Sequence, residues 1–187
     1  MGREGGVIEI PDENYARPLE EDTRVPVTRV GDEREILTGL LDWQRETFRL
    51  KCAGIAPERL SEMGVPPSTL SLHGLLRHLA ATERWWFSRQ FAGQDLPMLY
   101  YSDDDPSQDF ESLDGDVEEA FATWHAECDR SREIVAAAAS LDQTGTRIRT
   151  GEPFSLRRVL VDMIAEYARH NGHADLLRER IDGTTGF

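Results

Sequence analysis

Glu166, His170 and His173 stand close together near the end of the chain, in the run AEYARHNGHAD that spans Ala165 to Asp175. Imidazole nitrogens and carboxylate oxygens are ligands for zinc above all, and they suit nickel, iron or manganese as well. On a helix, which turns about 100° per residue, the three positions fall within roughly 60° of one another. They therefore share a face. The Glu166/His170 pair has the i, i+4 spacing with which one helix grips a metal through two side chains. One more donor has to come from a facing helix. Among the other histidines His78 is best placed, on a helical face with Leu75, Thr82 and Trp85. His73 points roughly 140° away from it and reads as a first-turn surface or capping residue. His125 follows Trp124 on an acidic helix and takes no role.

His170 occupies a position where helices packed on one another normally place leucine. Alone, such a histidine is most simply a core residue with a hydrogen-bond partner. Glu166 on the same face changes that reading, because a glutamate is rarely buried without compensation and a cation provides it. Gly172 costs about 1 kcal/mol relative to alanine inside a helix, which suggests close approach of a second backbone or a ligand there.

The elements that must position these residues are helical. Asp32 is a cap for a first helix running to about Cys52, with Glu33 and Glu35 in its first turn as the helix dipole favours. A second starts after the cap Ser71 and ends at Gly93. A third spans about Asp116 to Ala139. Residues 94 to 115 form a long acidic connection in which Asp103-Asp-Asp-Pro106 is too charged and broken to pack, and Thr144 to Pro153 form a turn or short hairpin. A fourth helix follows the cap Ser155 and stops at Gly183. Along it Leu156, Leu160, Met163, Tyr167, His170, Ala174, Leu177 and Ile181 repeat at alternating spacings of four and three, a seam facing other helices. Four long helices with one long crossover predict an all-α fold, a four-helix bundle over residues 32–187. Residues 1–31 differ, with three prolines, an acidic patch at Glu20, Glu21 and Asp22, and two short extended segments, Val7–Ile10 and Val25–Val30. They read as an extended arm laid against the body or a neighbouring subunit.

Composition narrows the function. A net charge of −14 over 187 residues excludes the basic footprint that nucleic acid or an anionic membrane surface requires. Lys51 is the one lysine among 21 basic residues, so the arginines reflect coding bias and not a set of phosphate clamps. Cys52 and Cys128 lie far apart in no metal-type spacing. The N-terminus lacks the apolar core of a signal peptide, and no apolar stretch approaches the roughly 20 residues of a membrane span. A cytoplasmic protein is expected.

The runs Leu75-Leu-Arg-His-Leu-Ala80, Glu83-Arg-Trp-Trp-Phe87 and Glu166-Tyr-Ala-Arg-His-Asn-Gly-His173 resemble those of DinB-like (YfiT-like) metal-binding four-helix bundles. The resemblance covers about residues 33 to 183 and leaves the N-terminal arm outside. It is strongest to the actinobacterial branch grouped with mycothiol-dependent S-transferases and maleylpyruvate isomerase. Where the wider family has a His-x-x-x-His pair followed by Gly-Gln, this chain has Glu166, His170 and, at the glutamine position, His173. The glutamate is similar to the isomerase pattern. The resemblance implies a ligand set of His78, Glu166 and His170, with His173 in support or in place of Glu166.

Three protein ligands and an open fourth position describe a catalytic site. A metal so held lowers the pKa of a bound thiol or water. The relatives use low-molecular-weight thiols such as mycothiol or bacillithiol, which implies thiol transfer to a small electrophile with no protein cysteine attacking. Trp85, Trp86 and Tyr167 are candidate pocket walls, although such residues also build cores. The resemblance further suggests a homodimer. Three other readings stay open: a metal-dependent hydrolase with Glu166 or His173 as base, a non-catalytic metal-binding or stress-response protein, and an acidic dimer with buried histidines and no metal.

Overall fold

The computed structural model describes residues 22–111, 113 and 116–185. The extended segment expected at Val7–Ile10 and most of the predicted arm lie outside these residues. The part from Asp22 to Gly31 forms no strand or helix and lies along the first helix. Its Thr23 hydroxyl donates to the Glu46 carboxylate, and the Arg24 guanidinium sits 4.5 Å above the Trp43 ring.

The chain is mostly helical. Helix α1 (Glu33–Cys52) begins where the Asp32 carboxylate accepts from the Glu35 amide, and α2 (Leu72–Glu83) begins where Ser71 Oγ accepts from the Gly74 amide. Asp116 and Ser155 cap α4 (Val117–Ala137) and α5 (Leu156–Asp182) in the same way. Each cap satisfies an amide that the first helical turn leaves without a partner. Gly183, at φ 79°, closes α5 in the left-handed conformation that favours glycine.

Two features depart from the sequence pattern. The second helix does not run uniformly to Gly93: from Arg84 to Phe91 it widens into π-helix. Such a stretch shifts the faces on which later side chains emerge, and it is common at functional sites. The acidic connection is also not wholly unpacked. It holds a short helix α3 (Gln108–Glu111) that lies on α2, and Asp109 within it is buried.

Helix α1 packs along α5 and α2 along α4, while α2 also touches α5. All eight residues of the predicted α5 seam are buried, and all but His170 share one core with Phe48, Leu72, Leu75, Phe87 and Trp124. Each aliphatic side chain so buried contributes roughly 1.5–3 kcal/mol relative to exposure, before the entropy of ordering it. Within this core Arg45 donates from Nε and Nη2 to the two Glu83 oxygens at 2.8 and 2.7 Å. Tyr167 Oη donates to the same carboxylate at 2.9 Å and accepts from Trp124 Nε1 at 2.9 Å.

Among the described residues the only sheet is a hairpin, β1 (Thr144–Thr146) against β2 (Pro153–Ser155), antiparallel with Thr144 opposite Ser155. It docks on the π-helical turn. A Cβ on Gly145 would lie 2.6 Å from the Phe91 Cα, so only glycine permits this approach. The buried Gln90 side chain accepts from the Ile148 amide at 2.8 Å and fixes the hairpin tip. No helix among the described residues is long and apolar enough to cross a membrane.

Candidate metal centre

Helices α2 and α5 bring His78, Glu166 and His170 together. One ligand atom from each lies within 4.8 Å of the other two. Glu166 Oε1 is the hub, 3.1 Å from His78 Nε2 and 3.1 Å from His170 Nε2. The two imidazole centroids are 4.8 Å apart. Two nitrogens and a carboxylate oxygen thus converge from two helices, a donor set that suits a divalent ion of the zinc type. Glu166 also meets Arg169, whose Nη1 is 3.2 Å from Oε2.

His173 stands on the other side of His170. Its Nδ1 is 3.3 Å from His170 Nδ1, so it contacts the nitrogen that faces away from Glu166 and stays outside the convergent set.

Asp109 is the residue that pattern reading missed. From α3 its Oδ2 accepts from His78 Nδ1 at 2.8 Å, which orients the ring with Nε2 toward Glu166. Its Oδ1 is buried with no hydrogen-bond partner among the described residues. Phe110 stacks on the His78 ring at 4.8 Å. The acidic connection therefore carries both the carboxylate and the aromatic ring that hold His78. No local signal marks Asp109 among its many acidic neighbours.

The electrostatics follow from these contacts. Burial disfavours a charged His78 ring, but the hydrogen bonds to Asp109 and Glu166 outweigh it and raise its pKa to about 9. Hydrogen bonds from His170 and then His78 hold the Glu166 carboxyl well below the usual carboxylate range. Burial, and then His170, lower His173.

A cavity of about 260 Å³ opens on the cluster, walled by His78, Glu166, Trp85, Trp86, Tyr101 and Phe110. Trp85 and Trp86 are partly exposed to it, as candidate pocket walls should be. Tyr167 is not a wall: it is fully buried on the core side of α5, in the hydrogen-bond network with Glu83 and Trp124. His73 is not on the surface either, since it is buried with Nδ1 3.0 Å from Ser61 Oγ. Gly172 shows no close approach: a Cβ there would meet nothing within 4 Å, because the residue faces outward. Both cysteines are free and buried. Burial pushes the Cys52 thiol up to about 12 and the Cys128 thiol higher still, so neither supplies a thiolate near neutral pH.

A histidine from one helix facing a Glu-x-x-x-His pair on another is the arrangement that the resemblance to DinB-like proteins led us to expect. The branch is defined by a family model that matches residues 36–183: the chain belongs to the mycothiol S-transferase family. No curated protein matches the chain significantly.

Proposed function

We propose that the protein is a divalent-metal-dependent S-transferase that joins a low-molecular-weight thiol of the mycothiol type to a small electrophile. In this reading its four long helices form a four-helix bundle over residues 32–187, with the segment before it as an arm. His78, Glu166 and His170 are the metal ligands. The observation that carries the reading is their convergence within 4.8 Å at the wall of a cavity. Membership of the mycothiol S-transferase family supports the thiol and the transfer.

A zinc-type ion held there would supply Lewis acidity, lowering the pKa of a thiol so that it reacts as thiolate. The chain's residues do the rest. Asp109 accepts the Nδ1 proton of His78 and leaves Nε2 free to ligate, an arrangement that raises ligand basicity. With its Nε2 as the ligand atom, His170 would donate a hydrogen bond from Nδ1–H to His173 Nδ1, 3.3 Å away, and burial and then His170 lower the pKa of His173. Trp85, Trp86 and Phe110 exclude water around the sulfur. In the transfer a new S–C bond forms, the leaving group departs with its electron pair, and the thiol proton passes to solvent. The buried cysteines support a nucleophile that comes from the co-substrate.

Metal content decides the ligand set. Protein purified without added metal or a histidine tag should carry about one divalent ion per chain, and His78→Ala, Glu166→Ala and His170→Ala should each lose it. Equal metal in all three variants and the parent would overturn the assignment. Mass spectrometry of products with and without thiol tests the transfer, since a thiol-free hydrolysis product would make the protein a hydrolase.

A further inference from the structure

Beside the cavity at the histidines lies a second, of about 370 Å³, that shares Trp85, Trp86 and Tyr101 with it as walls. Its remaining lining includes Arg147 and Arg149 from the hairpin tip. We propose that this outer cavity is an anion subsite that selects electrophiles bearing a carboxylate. The proposal rests on the transferase reading above and names the substrate class of that site.

Two guanidinium groups, those of Arg147 and Arg149, line this cavity, while that of Arg89 meets the Trp85 ring but lines a different cavity. Arg147 lies 5.8 Å above Trp86 and Arg89 lies 5.2 Å above Trp85, both within cation–π range. Of the two lining arginines, Arg147 makes no ion pair with a carboxylate among the described residues. Arg149 meets one, Asp103 at 3.0 Å, and both side chains are more than 70 % exposed. Such an exposed pair is weak and readily exchanged for a ligand carboxylate.

The hairpin tip is held in place. Gly145 seats the hairpin on Phe91, Gln90 holds the Ile148 amide, and Arg147 and Glu152 close the turn through a 2.9 Å backbone bond. The fork of an arginine guanidinium matches the two oxygens of a carboxylate. The aromatic walls between the two arginines and the histidines fit a flat apolar body. A ligand spanning both cavities would hold its reacting carbon toward the histidines and its carboxylate toward the arginines.

The test uses 4-(bromomethyl)benzoate and its uncharged analogue 4-(bromomethyl)benzamide with mycothiol as nucleophile; in each case a C–S bond replaces the C–Br bond and bromide leaves. In the Arg147→Gln/Arg149→Gln variant, kcat/KM for the benzoate should fall more than about tenfold, through KM, while the benzamide changes less than about twofold. An equal fall for both substrates, or no fall for either, would overturn the subsite. Calorimetric binding of unreactive 4-methylbenzoate gives a readout that needs no turnover. Binding that weakens about tenfold in the variant supports the subsite even if neither bromide is conjugated, which would count against the transferase reading alone. Undetectable binding to the parent, or unchanged binding in the variant, refutes it.

Discussion

Two polar clusters join α2 to α5, and adjacent residues of α5, Glu166 and Tyr167, belong one to each. In the core cluster Glu83 receives both prongs of Arg45 and the Tyr167 hydroxyl, and its side chain is wholly buried. Every charge there has an opposite or a donor. In the outer cluster Glu166 is about a fifth exposed, two imidazoles point at one of its oxygens, and a cavity opens beside them. The first arrangement is complete within the protein and holds helices together. The second converges on a point that a cation would fill. Burial and hydrogen bonding alone do not separate a structural network from a ligand site; completeness does.

That contrast breaks most sharply at the two glutamates. Glu83→Ala leaves the buried Arg45 with only the half-exposed Asp42 as partner. It should cost about 3 kcal/mol or more of stability, read as a lowered midpoint in urea. Glu166→Ala should lower that midpoint in the metal-free protein clearly less, because Glu166 is about a fifth exposed and His78 keeps Asp109 as a partner, while abolishing metal retention. If the two variants lose stability alike, the distinction fails.

Asp109→Asn sharpens the comparison at the level of one hydrogen bond. A neutral amide no longer favours the orientation and basicity of His78, so metal affinity should fall about 10- to 100-fold, measured by competition with a chromophoric chelator. The fold should be retained.

Protonation provides a further test. Metal must displace the proton that Asp109 and Glu166 hold on His78, whose pKa is raised to about 9. Affinity should therefore rise as pH is raised from 6.5 towards 9, by about tenfold per unit, and then level off. Near pH 7.5 binding should release about one proton, seen as a calorimetric enthalpy that varies with the buffer. The sign for the metal-free fold is opposite: the raised pKa stabilises it below pH 6.5, and that contribution is lost as pH rises through 9.

The smallest effect lies just beyond the outer cluster. Gly172→Ala meets open space and removes a poor helix former from α5, so it should raise stability by up to about 1 kcal/mol, or roughly 2–4 °C in Tm. Unchanged metal content would show that the glycine serves no ligand.

Much of this was legible in the chain because it is local. The caps Asp32, Ser71 and Ser155 each act on the amide three residues on, and the α5 seam follows from a rotation of about 100° per residue. The same rotation put Glu166 and His170 on one face and singled out His78 as their partner. It could not say which flank of that face met the core. Tyr167 turned inward to Glu83 and not to the cavity, and Gly172 turned to open space. His73 was buried by Ser61, from a segment with no regular pattern.

Neighbours along the chain were thus enough to set the long helices, their caps and the donor types, but not the π-helical turn or the short α3. Only the tertiary structure decided that Asp109 orients His78 and that the hairpin carries Arg147 and Arg149 to Trp85 and Trp86. Those contacts join segments tens of residues apart, and their formation depends on how whole helices pack, which no spacing within one helix encodes.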